Sequence, residues 1–295
     1  MSIFGFDEAN PPATLYHYTS MSALLSIVGS GRIWATHCRF LNDRSEITMM
    51  WSAVQKRLEE RIAQERSSEV ASALSAVAEA VKSRRSSNEF VASFSENGDD
   101  LSQWRAYCAS EGGVSLGFTK ESLESRWVAD PAGGQPSWVG GSLMKVRYLG
   151  QNNGAALDPA IDKALNMAAQ LDGQQGFFGT MHYKDIARAA LSLLAPSYKH
   201  EAFRHECEWR LVVDKPHKPM PGQRFRPGKS TLIPYVEVDL NRNLKFELSE
   251  KYMLRKVIVA PTPNPELAVE ALISLFASKG REVEVEPSSI PFRNW

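Results

Sequence analysis

TLYHYTSMSALLSIVGSGRIWA, the stretch from Thr14 to Ala35, decides how the fold begins. Thr14–Thr19 is short and rich in β-forming residues, which predicts a strand. Ser20 stands where it can cap a helix running to Val28, with Leu24, Leu25, Ile27 and Val28 as the apolar side. Gly29 and Gly31 read as the stop, since glycine takes the left-handed cap conformation cheaply. Arg32–Ala35 predicts a second strand.

Beyond it, Asp43 and Glu46 have the spacing of a capping box, and Ile47, Met50, Trp51, Val54, Leu58 and Ile62 recur at helical spacing. A second, alanine-rich helix is expected over Glu69–Lys82, then a polar break over Ser83–Asn88. Glu89–Ser95 and Gly113–Phe118 read as strands, with a short helix over Asp99–Cys108 between them. Asp130–Gly141 is a Gly- and Pro-rich loop, and Leu143–Leu149 a strand. Helices follow over Leu157–Leu171 and Lys184–Leu194, and a strand over Glu208–Val213. Pro216–Gly228 reads as a basic, Pro-rich loop and Leu232–Leu240 as a strand. Lys256–Ala260, a helix over Pro265–Ser278 and Glu282–Glu286 make a βαβ-like unit. With no repeat and no long linker, the pattern predicts one α+β domain over residues 1–295, carrying a helical insertion at about 121–200.

Composition narrows the function classes. Hydrophobic residues make up 43% and charged residues 23% of the 295, which is globular rather than disordered. Lys plus Arg equals Asp plus Glu at 34 each, so no global field draws in nucleic acid or an anionic membrane, though local basic patches stay open. Cys38, Cys108 and Cys207 form neither a disulfide framework nor a zinc spacing, which suits a reducing cytosol. No signal-like start and no stretch near the roughly 20 apolar residues of a span are present, so a cytoplasmic location and no membrane partner are expected. A Walker loop, a GxGxxG fingerprint and an HExxH pair are all absent from the sequence, and no metal is expected.

Three short pieces remain that carry chemistry: His17-Tyr18-Thr19 ending the first strand, Ser93-Phe94-Ser95 ending a later one, and Glu206-Cys207-Glu208 leading into a third. Each has a structural alternative. His17 reads equally as a strand-end histidine packed between Tyr16 and Tyr18. Ser93 and Ser95 read as hydroxyls bonding nearby backbone. The two glutamates read as surface carboxylates partnered by Arg204 and Arg210, an alternative weaker for Glu208, which precedes Trp209 and an apolar strand. Trp104 and Tyr107 read as helix anchors.

The ordered triple resembles the ADP-ribosyltransferase superfamily, whose members carry an Arg or His on a first strand, a Ser-rich or Tyr-bearing second strand and a catalytic Glu on a later one. A second resemblance covers nearly the whole chain. Leu15–Thr19, Phe40-Leu41-Asn42-Asp43 with Glu46, Trp104–Tyr107, Glu206–Arg210 and Ser288–Arg293 look like the bacterial family called domain of unknown function 2971, whose name supplies no activity. The superfamily resemblance implies a split antiparallel sheet and an enzyme using NAD as substrate. Such an enzyme would be a toxin or anti-phage defence effector modifying a protein or nucleic-acid acceptor. NAD hydrolysis, a non-catalytic nucleotide- or partner-binding module, and nucleic-acid binding through the Arg224–Lys229 loop are the alternatives. The same resemblance implies roles. Glu208 would hold the ribose 2′-hydroxyl and offset charge in an oxocarbenium-like transition state. Glu206 would orient or deprotonate the acceptor, or support Glu208. His17 and Thr19 would bind the adenosine-side ribose, and Ser93 or Ser95 would bind the nicotinamide ribose or orient the glutamate. Tyr18, Trp104 or Tyr107 would stack on nicotinamide. The sequence departs from the superfamily pattern in its long Ser95-to-Glu206 spacing, in Ser-Phe-Ser for Ser-Thr-Ser, and in His where the Ser-bearing members place Arg. The reading requires His17, a serine of the second piece and Glu208 to line one cleft.

Overall fold

The computed structural model describes residues 10–41, 45–82, 89–108, 112–123, 126–128, 141–150, 154–172, 182–213, 223–243 and 254–292. The expected cap at Asp43, the polar break over Ser83–Asn88, most of the loop over Asp130–Gly141, the start of the loop at Pro216 and the tail residue Arg293 lie outside them. Its elements are β1 (Thr14–Ser20), α1 (Met21–Ser30), β2 (Arg32–His37), α2 (Ser45–Gln64), α3 (Ser68–Lys82), β3 (Phe90–Ser95), α4 (Leu101–Tyr107) and β4 (Gly113–Thr119). Then come α5 (Lys120–Leu123), β5 (Arg126–Val128), β6 (Gly141–Lys145), β7 (Arg147–Leu149), α6 (Asp158–Leu171), α7 (Tyr183–Leu194), β8 (Tyr198–His200) and β9 (Glu208–Val213). The chain closes with β10 (Arg224–Pro227), β11 (Leu232–Asn243), β12 (Leu254–Val259), α8 (Pro265–Ser278) and β13 (Glu284–Pro287).

The chain divides into two compact units, each assembled from separated segments: residues 1–36, 90–145 and 205–295, and residues 37–89 and 146–204. The first unit holds the large sheet, ordered β10-β11-β2-β3-β1-β4-β12-β13, with β5 on β11, β9 on β3 and β6 on β9. Every pair of that sheet whose register is described is antiparallel except β12 with β13. Those two run parallel and are joined by α8, which is the βαβ unit expected at the C-terminus. The molecule is thus α+β with a mostly antiparallel sheet.

The opening stretch folds as its sequence dictates. Ser20 Oγ accepts from Ala23 N at 3.2 Å and caps α1. Gly31, at φ 67°, closes the helix by donating to Ile27 O at 2.8 Å. Gly29 lies inside α1 and does not stop it, because only the residue past the last turn must adopt positive φ. Leu24 and Val28 of α1, with Leu272 and Phe276 of α8, pack on one face of the sheet against Leu15, Ile33, Phe90, Phe94, Leu116, Trp209 and Val257.

Two expectations change. The strand expected over Leu143–Leu149 breaks at Val146 into β6, which pairs β9, and β7, which pairs β8 in the second unit. Arg224–Pro227, expected in a loop, is an edge strand on β11. An edge tolerates Pro227, because a missing N–H there breaks no inner ladder.

The second unit packs α2, α3, α6 and α7 around Met50, Trp51, Val54, Leu58, Ala164 and Leu191. Arg57 grips Asp158 of α6 with two bonds of 2.8 and 2.7 Å, and Arg61 meets Asp162 at 2.7 Å. Helices therefore occupy both 45–82 and 158–194. No helix among the described residues is long and apolar enough to cross a membrane.

Candidate functional site

β3 is the pivot of the three sequence pieces. Along one edge it pairs fully with β9, Phe90–Ser95 against Val213–Glu208. Its other edge is shared: β1 meets it at Tyr16 opposite Ser95 alone, then follows β4, while β2 also neighbours β3 in the sheet order. The first and second strands therefore part at β3.

Register sorts the candidate residues by face. Residues directly opposite in an antiparallel pair point to the same side, and neighbours along a strand alternate. Ser93 opposes Arg210, and Ser95 opposes both Glu208 and Tyr16, so these five share one face. His17, between Tyr16 and Tyr18, points to the other face with Phe94 and Trp209, and its ring centroid lies 5.6 Å from that of Phe94. The structure brings Ser93, Ser95 and Glu208 together and places His17 on the opposite side.

Glu208 is 5% exposed and Arg210 2%. Arg210 Nε donates to Glu208 Oε1 at 2.8 Å, and Nη2 to Oε2 at 3.0 Å. Alternation makes this pair, since residues two apart on a strand share a face. A buried, bidentate ion pair is stable while complete, yet the cation cancels most of the field the carboxylate would offer a developing positive charge. The Arg210 partnership expected at a surface is therefore present, but buried. Just before it, Cys207 sits at φ 45°, a left-handed conformation costly for a non-glycine residue. Its carbonyl accepts from Glu96 N at 3.1 Å. Glu206 is half-buried at the end of a 3-10 turn, and its carbonyl accepts from Ser95 Oγ at 2.8 Å. Ser95 Oγ also accepts from Asn97 N at 3.1 Å, so the Ser95 hydroxyl is committed to backbone.

His17 Nδ1 lies 2.9 Å from Ser93 O. A carbonyl only accepts, so Nδ1 carries the hydrogen and Nε2 of the neutral ring carries a lone pair. Burial holds the imidazole pKa below its ordinary 6.5, against the opposing pull of the Ser93 carbonyl, so the ring is neutral at pH 7. Nε2 has no partner among the described residues. Thr19, on the same face, opposes Val114, and its carbonyl accepts from Cys108 Sγ at 3.5 Å.

The aromatic candidates are mostly committed to packing. Tyr18 is buried, its hydroxyl donates to Asn97 O at 2.8 Å and accepts from Asp100 N at 3.0 Å, and burial raises its pKa far above the ordinary phenol. Trp104 meets it edge-on at 4.7 Å, and the two share a small core with Cys108, Ile258 and Ala260. Tyr107, by contrast, is exposed.

Sequence reasoning passed over the loop between β3 and α4. Glu96 Oε1 accepts from Trp209 Nε1 and from Lys145 Nζ, both at 2.8 Å, which sets Glu96 on the face of His17 and Trp209. Burial pushes its pKa up, but the Lys145 and Trp209 donors outweigh that, and the net shift is downward. Glu96 Oε2 has no partner among the described residues, and the side chain is 31% exposed. Asp99 accepts from Trp104 Nε1 at 2.7 Å, Ser288 Oγ at 2.6 Å, and Ser289 N and Oγ at 2.8 Å each. These donors, led by Ser288 and Trp104, overcome burial and hold its pKa low. Arg105 lies 4.8 Å over the Phe292 ring, so the Ser288–Phe292 tail is fastened beside α4. The only sequence signal for Asp99 was its place before a helix, where a carboxylate reads as a cap. Asp100 fills that role, accepting from Ser102 N and Gln103 N.

The family described as Protein of unknown function (DUF2971) matches residues 103–211, which take in Trp104, Tyr107, Glu206 and Glu208 but neither His17 nor Ser93. That match supports the second resemblance over this segment and carries no activity. No curated protein and no solved structure matches the chain.

Proposed function

We propose that the chain is an NAD-dependent ADP-ribosyltransferase-like enzyme whose reactive groups are the partly exposed His17 and Glu96, on the side of the sheet that also packs α1 and α8, rather than Glu208. The ligand class rests on the ordered His17, Ser93-Phe94-Ser95 and Glu206-Cys207-Glu208 resemblance. One observation carries the choice of face: His17 Nε2 and Glu96 Oε2 are acceptors without partners among the described residues, on the side away from the Arg210-locked Glu208. Two ribose hydroxyls need such acceptors. A carboxylate kept ionised by Lys145 and Trp209, with one oxygen unspent, suits the charge that develops when the nicotinamide bond breaks.

The bond broken joins nicotinamide to the ribose C1′, and its electron pair leaves with nicotinamide. The bond formed joins C1′ to an acceptor oxygen or nitrogen, whose proton is released. With water as acceptor the same step is NAD hydrolysis.

A second reading, binding without turnover, is favoured by the neutralised state of Glu208. The experiment measures NAD loss and transfer of labelled ADP-ribose, with NAD binding followed by calorimetry. Loss of turnover in folded Glu96→Gln, by about a hundredfold or more, with turnover kept in Glu208→Gln shown by circular dichroism to be folded, supports the proposal. The reverse pattern returns the role to Glu208. Binding with no turnover in any variant supports the second reading.

A further inference from the structure

Outside the His17–Glu96 face, the blade formed by β2, β11 and β10 shows an unusual outer surface. Its inner side is core, with Ile33, Ala35, Val236 and Val238 all buried. On its outer side Trp34 opposes Glu237, and Arg224 opposes Tyr235. Trp34 is 45% exposed in mid-strand, and its ring lies 4.4 Å from that of Tyr235 at an interplanar angle of 33°. Tyr235 is itself buried, so the solvent-facing aromatic surface is that of Trp34.

Three guanidinium groups surround it, and Glu237 accounts for two. Its carboxylate pairs Arg32 at 3.0 Å and Arg224 at 3.3 Å. Arg226 is different. Its one hydrogen-bond partner among the described residues is Thr36 Oγ1, a long contact of 3.5 Å from Nη2. Arg226 Nε is buried with no acceptor among the described residues. A guanidinium has five N–H donors and Thr36 takes one by a long contact, so the terminal N–H groups of Arg226 are the ones that can meet an anionic oxygen.

We infer that the outer face of the β2–β11–β10 blade binds single-stranded nucleic acid, with a base stacked on Trp34 and a backbone phosphate held by Arg226. The Arg226 guanidinium reaches back to Thr36, two residues and so about 7 Å along β2 from Trp34 on the same face, which is the scale of the step from a base to a neighbouring phosphate. The aromatic platform recognises the flat face of an unpaired base, and the unsatisfied guanidinium recognises an anionic oxygen. A duplex buries its base faces and cannot use the platform. The chain is neutral overall, so attraction here is local and involves one or two phosphates.

The test uses the full chain with labelled oligothymidylate and oligouridylate, read by fluorescence anisotropy; the two arms distinguish DNA from RNA. Binding of either should weaken with salt at a slope of about −0.7 per phosphate contacted, so about −0.7 to −1.4 in all. Trp34→Ala should weaken it about tenfold or more, and Arg226→Gln should flatten the slope by about 0.7. Unlabelled duplex should not compete. Circular dichroism confirms that both variants remain folded. No binding by either oligonucleotide at low salt, or equal binding by wild type and folded Trp34→Ala, overturns the inference. Neither residue belongs to the His17–Glu96 face, so this outcome is independent of NAD turnover.

Discussion

Glu208 and Glu96 occupy the two faces of one junction, and they are held in opposite ways. Glu208 is buried and gripped through both oxygens by Arg210, two residues along its own strand. Glu96 follows β3 in a loop, half-buried, with one oxygen taking Trp209 and Lys145 and the other unpaired among the described residues. The first is an internally completed charge pair that organises β9. The second is an ionised group still able to accept a bond. A motif read in chain order selects Glu208, whereas the faces of the sheet select Glu96.

The comparison breaks most readily at the pair. Removing one partner leaves a buried, uncompensated charge, so Arg210→Met should lower unfolding stability by about 3–5 kcal/mol in urea titration. Adding Glu208→Gln to that variant should recover much of the loss, because the stranded charge is gone. A small effect of Arg210→Met would show that Glu208 reaches solvent after all.

Asp99 tests the loop side. Its four acceptances tie Trp104 to Ser288 and Ser289, so Asp99→Asn should cost about 1–3 kcal/mol and expose the tail to earlier proteolysis near Phe292. The folded pKa lies below the ordinary 3.8, so this contribution is present above that value and is lost as pH falls through the lowered one. The asparagine variant should therefore show a shallower loss of stability in acid. An unchanged acid limb would mean that the tail is held by other contacts.

His17 gives the smallest and sharpest signal. Its folded pKa is depressed below 6.5, so the unfolded chain takes up the proton first and stability falls as pH drops below that value. Urea midpoints for wild type and His17→Gln should converge between about pH 7 and 5, since glutamine does not titrate. Parallel curves would place the ring in water.

Much of the architecture was legible because it depends on near neighbours. Glu208–Val213 and Pro265–Ser278 form over the residues that periodicity marks. Ser20 and Gly31 cap α1 because a hydroxyl and a free φ are local properties. The split at Val146 was not legible, since β6 and β7 mix apolar and basic residues alike and differ in the strand each one meets. Arg224–Pro227 looked like a loop because basic residues and prolines dominate its sequence, and only pairing with β11 makes it a strand.

The same division runs through the candidate site. The sequence by itself determined that three polar pieces end or begin strands and that Arg210, two residues from Glu208, is available to pair with it. Tertiary structure alone decided which faces those pieces present, since that follows from the single pairing of Tyr16 with Ser95 where β1 leaves β3. Strand side chains alternate with a period of two, so one register choice between distant segments sends His17 and Glu208 to opposite sides.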